Sequence, residues 1–250
     1  MQRFAFITGT SRGIGAALAR ILVERGWSVI GTARGPAPEG LDPGSYSHLA
    51  MDIGDLGALG RALDTILTQP HMGSWDQVAL VNNAGTVEPI DSIDRLALAD
   101  LDRALRINLT APMWTAGRFM RLLPDSVALR VAHLGSGAAT SAYSGWSTYC
   151  SAKAGLSMAA RCVAEDVKSM PHLQGRDVRV LDYAPGVVAT EMQADLRASE
   201  VSSFPARQRF VELHESGQLV APEGPATELA DLLEDPALPA YSATRFGTPR

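Results

Sequence analysis

The sequence predicts an α/β fold, a single doubly wound domain over residues 1–250 with a mostly parallel sheet of six to seven strands and helices on both faces. Short apolar runs alternate with segments of helical periodicity nearly from end to end. The strand runs are almost continuously apolar, as expected for parallel strands that are covered on both faces. No linker, internal repeat or low-complexity tract divides the chain, so we expect one series of βα units.

The predicted elements follow the turn and periodicity signals in order. Strands are expected at 3–8, 27–33, 48–51, 77–81, 127–134 and 178–183, with a short edge strand at 240–246. Helices are expected at 13–26, 56–67, 98–123, 148–168, 196–214 and 222–233. Pro112 predicts a break in the third helix, because proline has no N–H to donate. The segment 34–47 contains three prolines and three glycines and is predicted to be a loop.

Composition narrows the possible functions. The formal net charge is −5 and no basic tract occurs, so we predict no nucleic-acid partner. No apolar run reaches the roughly 18 residues of a membrane-spanning helix, and residues 1–9 read as a strand rather than a signal peptide. Cys150 and Cys162 are predicted on one helix, about 18 Å apart, which is too far for a disulfide. We therefore expect a cytoplasmic protein with reduced thiols.

A glycine-rich turn links the first predicted strand to the first helix. Its sequence is Thr8-Gly9-Thr10-Ser11-Arg12-Gly13-Ile14-Gly15, with GxxxGxG spacing. A helix N-terminus attracts a pyrophosphate, and glycine lets the backbone approach it closely. We predict a dinucleotide site of the Rossmann type here; a glycine-rich turn without a ligand is the alternative. The predicted contacts are Gly9, Ser11, Arg12, Gly13, Ile14 and Gly15.

This turn resembles that of the short-chain dehydrogenase/reductase family, and other motifs of that family follow in the family's order. They span residues 8–190 and together are far more specific than any one alone. The resemblance implies a nicotinamide-dependent oxidoreductase. The further matches are Asn82-Asn83-Ala84-Gly85, Asn108, Ser136, Tyr149-Cys150-Ser151-Ala152-Lys153 and Pro185-Gly186-Val187-Val188-Ala189-Thr190.

Two arginines favour NADP(H) over NAD(H). NAD sites place a carboxylate on the ribose 2′-hydroxyl near the end of the second strand. Here that strand ends in Arg34 and the next acid is Glu39, whereas Arg12 lies in the glycine turn. A guanidinium suits a 2′-phosphate. Two solvent-exposed loop arginines are the alternative.

The resemblance also assigns contacts along the rest of the cofactor. Asp52 is implied to contact the adenine amino group, although a turn or helix cap is an alternative role for it. Asn83, Ala84 and Gly85 are expected to shape the floor beneath the adenosine ribose, or to be plain turn formers. The carboxamide is implied to contact the segment that contains Pro185, Gly186, Val188 and Thr190.

Tyr149 and Lys153 are four residues apart on a predicted helix, so they share one face. Carbonyl reduction needs a proton donor, and a nearby ammonium is expected to lower the tyrosine pKa from about 10. Ser136 follows the fifth strand, where its hydroxyl can hydrogen-bond the substrate oxygen. The resemblance implies that Lys153 also holds the nicotinamide ribose and that Asn108 holds a water that relays protons. A packed tyrosine beside a solvated lysine is the alternative.

The segment 191–220 is predicted to cover the substrate, with Met192 in its wall. Tyr143 and Trp146 precede Tyr149 and could stack on an aromatic substrate, or they could merely pack the segment against the core. Val180-Leu181-Asp182-Tyr183-Ala184-Pro185-Gly186 and Thr190-Glu191-Met192-Gln193 are similar to the sepiapterin reductase subgroup, which has bacterial members resembling benzil-type diketone reductases.

The C-terminal sequence favours one substrate class of that subgroup over the other. Sepiapterin reductases grip the pterin with a carboxylate near the C-terminus, but no acid occurs from Pro236 onward. We therefore predict a small-molecule substrate, an α-dicarbonyl or aryl carbonyl. A pterin carbonyl reductase and a non-catalytic NADP(H)-binding regulator are the alternatives.

We predict no metal site, because the five histidines show no ligand spacing and no CxxC or HExxH motif occurs. The resemblance implies a homodimer or homotetramer in which the helices predicted at 98–123 and 148–168 pair with those of another copy. A face buried within one chain is the competing explanation for the alanines on the second of these helices.

Overall fold

A computed structural model describes residues 1–248 and contains a parallel sheet of seven strands. Their order is β3-β2-β1-β4-β5-β6-β7, and every pair of neighbours is parallel. The predicted fold class is therefore confirmed. The strands are β1 Arg3–Thr8, β2 Ser28–Ala33, β3 Tyr46–Ala50, β4 Gln77–Asn82, β5 Ala128–Leu134, β6 Val178–Ala184 and β7 Tyr241–Arg245.

Helices cover both faces of this sheet. They are α1 Gly13–Glu24, α2 Leu56–Leu67, α3 Leu98–Leu105, α4 Ala111–Leu122, α5 Ser147–Ser169, α6 Glu191–Ala198, α7 Arg207–Glu215 and α8 Glu223–Glu234. A π-helical segment, Arg106–Thr110, joins α3 to α4, so the break predicted near Pro112 is confirmed. Within residues 1–248, no helix combines the length and apolarity needed to cross a bilayer.

The strands alternate their side chains between two apolar cores. In β1, Phe4 and Phe6 pack with α2, α4 and α5, whereas Ala5 and Ile7 pack with α1 and α8. All four side chains are at most 4% exposed, which explains why the strand is apolar at each of these four consecutive positions. A third, smaller cluster lies beneath α6 and α7.

The prediction of one helix over 196–214 is wrong. The chain forms α6 and α7 instead, separated by 199–206. Phe204 is fully buried and its ring centroid lies 4.9 Å from that of Trp146, and Pro205 disfavours helical backbone at the residue before it. Tertiary packing of one aromatic side chain therefore overrides a helical pattern.

Candidate active site

A cavity of about 1080 Å³ opens beyond the carboxyl ends of the strands. The sheet order reverses between β1 and β4, and such a reversal creates a crevice for ligands. Most of the predicted site residues line this cavity, and Gly15, Asn108 and Tyr143 do not. The predicted residues that line it are Gly9, Ser11, Arg12, Gly13, Ile14, Arg34, Asp52, Asn83, Ala84, Gly85, Ser136, Trp146, Tyr149, Lys153, Pro185, Gly186, Val188, Thr190 and Met192.

The glycine turn requires its glycines for conformation and for space. Gly9 and Gly13 have positive φ angles of 76° and 58°, which L side chains rarely adopt. A Cβ on Gly15 would collide with the Gly9 carbonyl oxygen and lie 2.5 Å from Asn83 Nδ2. Gly15 therefore acts on the turn from outside the cavity.

The start of α1 suits an anion. Its N-cap residue, Arg12, makes no side-chain capping hydrogen bond, and the first turn contains no acidic residue. The first N–H groups of a helix lack partners within the helix and carry the positive end of its dipole. These N–H groups lie where the pyrophosphate of a dinucleotide would bind, so the turn fits the implied cofactor.

Asn83 fixes the shape of this turn through the backbone. Its Nδ2 donates to Thr8 O at 2.8 Å and to Gly9 O at 3.0 Å. Thr8 Oγ1 in turn accepts from the backbone N–H groups of Asn83 and Ala84, each at 3.0 Å. The end of β4 is thereby tied to the end of β1, where the cavity begins.

At the adenosine end, Arg34 is exposed and makes no ion pair with any residue in 1–248. Asp52 accepts from Arg103 Nη2 at 2.6 Å and from Gly54 N at 2.8 Å. Burial opposes ionisation of Asp52, but these hydrogen bonds outweigh it and hold its pKa below the usual value. Asp52 thus has the turn role that the sequence left open, and its adenine contact stays a prediction.

Arg12 points to another partner in this structure. Its guanidinium forms an ion pair with Glu191, the first residue of α6. Both side chains are about 60% exposed (59% and 60%), so the pair contributes little to stability. The predicted contact of Arg12 with a 2′-phosphate would require it to leave Glu191, and that contact stays a prediction.

The segment after β6 lies against the glycine turn. A Cβ on Gly13 would lie 3.2 Å from Thr190 Cγ2, and Gly186 has a positive φ of 80°. Val188 pairs with Val220 in an isolated parallel bridge. These contacts hold both ends of the 191–220 segment beside the cavity.

Tyr149 and Ser136 lie side by side in the cavity. Tyr149 is 7% exposed, and the nearby Ser136 side chain lowers the pKa of Tyr149 less than burial raises it. Ser136 Oγ accepts from Ala138 N at 3.1 Å. The predicted lowering of the tyrosine pKa is wrong, because burial raises the pKa of Tyr149 to about 12.

The Lys153 side chain does not offset this effect of burial. Its Nζ donates to Leu134 O at 2.8 Å and lies 5.7 Å from the centroid of the Tyr149 ring. The ammonium therefore shares the face of Tyr149, as predicted, but its hydrogen bond goes to the end of β5. Burial lowers the pKa of Lys153 to about 8, and the charge of Asp182 partly opposes that shift.

Asn108 lies in the π-helical segment and is 1% exposed. Its Nδ2 donates to Thr86 O at 2.8 Å, and its Oδ1 accepts from Thr86 N at 3.0 Å. Both ends of the amide are therefore engaged. Pro112, four residues later, cannot supply the N–H that the Asn108 carbonyl would accept in an α-helix. A relay water at this residue, which stays a prediction, would find its acceptor in the backbone.

An aromatic wall closes the end of the cavity beside Tyr149. The Trp146 ring lies 4.8 Å from Tyr149, 4.9 Å from Phe204 and 5.7 Å from Phe210, measured between centroids. Tyr143 packs against the edge of Trp146 at 5.4 Å, and its hydroxyl accepts from Arg209 at 3.2 Å. Tyr143 therefore supports the wall from behind, and its predicted stacking on substrate is not supported.

Comparison with known proteins decides the family. A sequence profile described as short chain dehydrogenase matches residues 3–201, which is most of the chain. The chain belongs to the short-chain dehydrogenase/reductase family. It is thus an oxidoreductase of a family that uses a nicotinamide cofactor.

Curated relatives within this family include carbonyl reductases. The chain is 35% identical over 254 residues to a benzil reductase ((S)-benzoin forming) of Bacillus cereus, with 98% of this chain and 99% of that one covered. It is 28% identical to the sepiapterin reductase of Bos taurus, with 92% and 88% covered. A solved short-chain dehydrogenase/reductase from Saccharomyces cerevisiae matches with a TM-score of 0.83 at 24% identity, covering 99% of this chain and 97% of that one, and shows the shared fold.

In this short-chain dehydrogenase/reductase, sequence reasoning missed polar residues that surround the predicted site. Asp182 pairs in register with the buried His133. The charge of Asp182 acts to raise the pKa of Lys153, and the charge of Lys153 helps to lower the pKa of His133. Arg103 reaches Asp52 from α3. A signal existed for the first two, since polar residues in the apolar strands β5 and β6 break their pattern. Arg103 is a charged residue on an exposed helix, and no sequence signal distinguished it.

Proposed function

We propose that this protein reduces an α-dicarbonyl or aryl carbonyl compound to an alcohol with NADP(H). The observation that carries the proposal is the placement of Tyr149 beside Ser136, with Lys153 one helical turn away, in a cavity that begins at the uncapped start of α1. The bound cofactor supplies a hydride to the carbonyl carbon. The protein supplies the position of the substrate and the proton.

Tyr149 serves as the general acid in this proposal. A pKa of about 12 keeps the hydroxyl protonated at neutral pH, so it can donate a hydrogen bond and then the proton to the carbonyl oxygen. Ser136 Oγ stabilises the same oxygen as negative charge develops there. The Lys153 ammonium, 5.7 Å from the Tyr149 ring, favours the phenolate that remains.

The charges at the adenosine end support NADP(H). Arg34 makes no ion pair with any residue of the described chain, so its guanidinium is available to a phosphate. The carboxylate that lines the cavity near it, Asp52, is neutralised by Arg103. A 2′-phosphate would therefore meet a net positive surface.

The wall chemistry supports an aromatic carbonyl rather than a pterin. Trp146 and Phe210 line the cavity beside Tyr149, and aromatic rings pack well on aromatic substrates. The C-terminal strand contributes Arg245 to the cavity and no carboxylate. A basic residue at this position disfavours the guanidine-like edge of a pterin. A benzil reductase among the relatives also supports an aryl dicarbonyl substrate.

We also propose that copies of the chain associate into a homodimer or homotetramer through α4 and α5. Met113 and Trp114 on α4 and Met158 on α5 are 47%, 37% and 56% exposed, and exposed apolar side chains of this size favour an interface.

Cys150 and Cys162 are free, which fits the reducing cytoplasm that we propose as the location.

The experiment measures the consumption of NADPH, and separately of NADH, with each compound in a panel of carbonyls. The panel contains benzil, 1-phenyl-1,2-propanedione, benzaldehyde, diacetyl and sepiapterin. We expect the aryl dicarbonyls to have the highest kcat/KM and NADPH to be preferred over NADH. Preferred reduction of sepiapterin would contradict the substrate class. Tight NADPH binding without turnover of any carbonyl, or of alcohols in reverse, would instead favour a non-catalytic regulator.

A further inference from the structure

The last strand of the sheet ends in an arginine that lines the cavity. Arg245 is the final residue of β7, and its side chain is exposed. It makes no ion pair with any residue in 1–248. A guanidinium stays charged at all ordinary pH values and presents paired N–H donors that match a carboxylate. Arg245 is therefore available to an anionic group in the cavity.

Strand alternation places Arg245 on the side of the sheet that α5 covers. Tyr241, at the start of β7, packs against the core cluster that includes residues of α5. Its hydroxyl accepts from Arg161 of α5 at 3.2 Å. Side chains four residues apart along a strand point to the same side, so Arg245 shares this side with Tyr241.

The contact between Tyr241 and Arg161 also indicates the height of Arg245 along α5. The four residues from Tyr241 to Arg245 rise about 13 Å, and a helix covers that distance in about nine residues. Because α5 begins at the cavity, this count leads from Arg161 back to about position 152. Tyr149 and Lys153 lie on that turn, so Arg245 ends roughly level with the proton donor.

The order of the strands puts Arg245 beyond the reacting groups, on the side away from the adenosine end. Ser136 follows β5 and Arg34 follows β2, and the sheet order between them and β7 is β2-β1-β4-β5-β6-β7. At about 4.8 Å per strand, the end of β7 lies about 10 Å from the end of β5 and about 24 Å from the end of β2. The proposed cofactor extends from Arg34 towards Ser136, which leaves Arg245 to the substrate.

We propose that Arg245 binds a carboxylate of the substrate, so that the carbonyl compounds reduced include aryl keto acids or formyl acids. Arg245 is then a specificity-determining residue, and the inference rests on the proposed function. The carbonyl carbon gains a hydride from NADPH and the oxygen gains the proton of Tyr149. The carboxylate keeps its charge and takes no part in the step, and the product is a hydroxy acid.

A phosphate of the cofactor is the competing partner for Arg245. The predicted pyrophosphate site is the start of α1, which follows β1. The end of β7 is four strands from the end of β1 in the sheet, or about 19 Å at 4.8 Å per strand. Ser136, at the end of β5, lies between them. This separation favours a substrate carboxylate over a cofactor phosphate.

The test uses matched acids and methyl esters. The pairs are phenylglyoxylate with methyl phenylglyoxylate, and 4-formylbenzoate with methyl 4-formylbenzoate. Arg245→Gln keeps a polar side chain and removes the charge. We expect it to lower kcat/KM for at least one acid about tenfold, and to change kcat/KM for both esters less than about twofold.

Arg121→Gln is the matched control and should leave the acids and the esters unchanged. Arg121 is an exposed arginine of α4 outside the cavity. Like Arg245, it makes no ion pair within the described chain. Thermal unfolding of both variants separates a change in binding from a failure to fold.

Each outcome has a defined meaning. Equal losses on acid and ester in both pairs, no loss on either acid, or a wild type that reduces the esters but neither acid overturns the inference and leaves the proposed function standing. Weaker NADPH binding in Arg245→Gln, measured by fluorescence titration, with equal losses on every substrate assigns Arg245 to the cofactor and also overturns it. A wild type that reduces none of these compounds and no benzil overturns the proposed function itself.

Discussion

The two ends of the cavity are built in different ways. At the cofactor end, short-range motifs and backbone hydrogen bonds fix the shape, as when Asn83 binds the carbonyls of Thr8 and Gly9. At the substrate end, aromatic rings from separate segments form the wall. We therefore expect cofactor binding to depend mainly on backbone geometry, and substrate choice to depend on side chains.

The largest expected effect comes from filling the cofactor end. Gly15→Ala places a methyl group against the Gly9 carbonyl and Asn83, neither of which can move without disturbing the turn. We expect NADPH binding to weaken about a hundredfold, as measured by fluorescence titration. Gly57→Ala on α2 is the control, since its Cβ would meet only the ends of flexible side chains. Unchanged NADPH affinity in Gly15→Ala would refute the close-approach argument.

The next effect separates the two nicotinamide cofactors. Arg34→Ser removes a guanidinium free to bind a phosphate, so we expect kcat/KM for NADPH to fall about ten- to a hundredfold, with little change for NADH. Arg20→Ser, an exposed arginine of α1 outside the cavity, should alter neither. Arg12→Ser should have a smaller effect, because Arg12 must first leave Glu191. Equal losses with both cofactors would contradict the 2′-phosphate assignment.

A smaller effect, on the stability of the fold, is expected at His133, a buried residue of β5. Burial, followed by the charge of Lys153, lowers its pKa to about 4. The unfolded chain therefore binds more protons than the folded chain below pH 6.5, and stability falls as the pH falls from there toward about 4.

The measurement is urea unfolding at pH 7 and at pH 5. The loss attributable to His133 should be about 2 kcal/mol and should disappear in His133→Gln, which stays neutral and can still bond Asn82. His172→Gln, at an exposed position, is the control. An equal pH dependence in wild type and His133→Gln would contradict this assignment.

The same contrast between the two ends explains what the sequence could predict. The glycine turn, the strands and the shared face of Tyr149 and Lys153 depend on local spacing, and they were predictable from it. The division between α6 and α7 depends on the packing of Phe204 against Trp146. The ion pair of Arg12 is with Glu191, on a helix distant in sequence. The pKa of Tyr149 depends on burial within the assembled cavity. None of these leaves a periodic signal in the sequence.

The most direct test of the account is the turnover of Tyr149→Phe with NADPH and benzil, beside Tyr241→Phe as the matched control. Tyr241 lies on β7 and its hydroxyl accepts from Arg161 at 3.2 Å, outside the cavity. We expect Tyr149→Phe to lower kcat at least about a hundredfold while NADPH still binds, and Tyr241→Phe to remain active. Turnover that survives in Tyr149→Phe would contradict the assignment of Tyr149 as the proton donor.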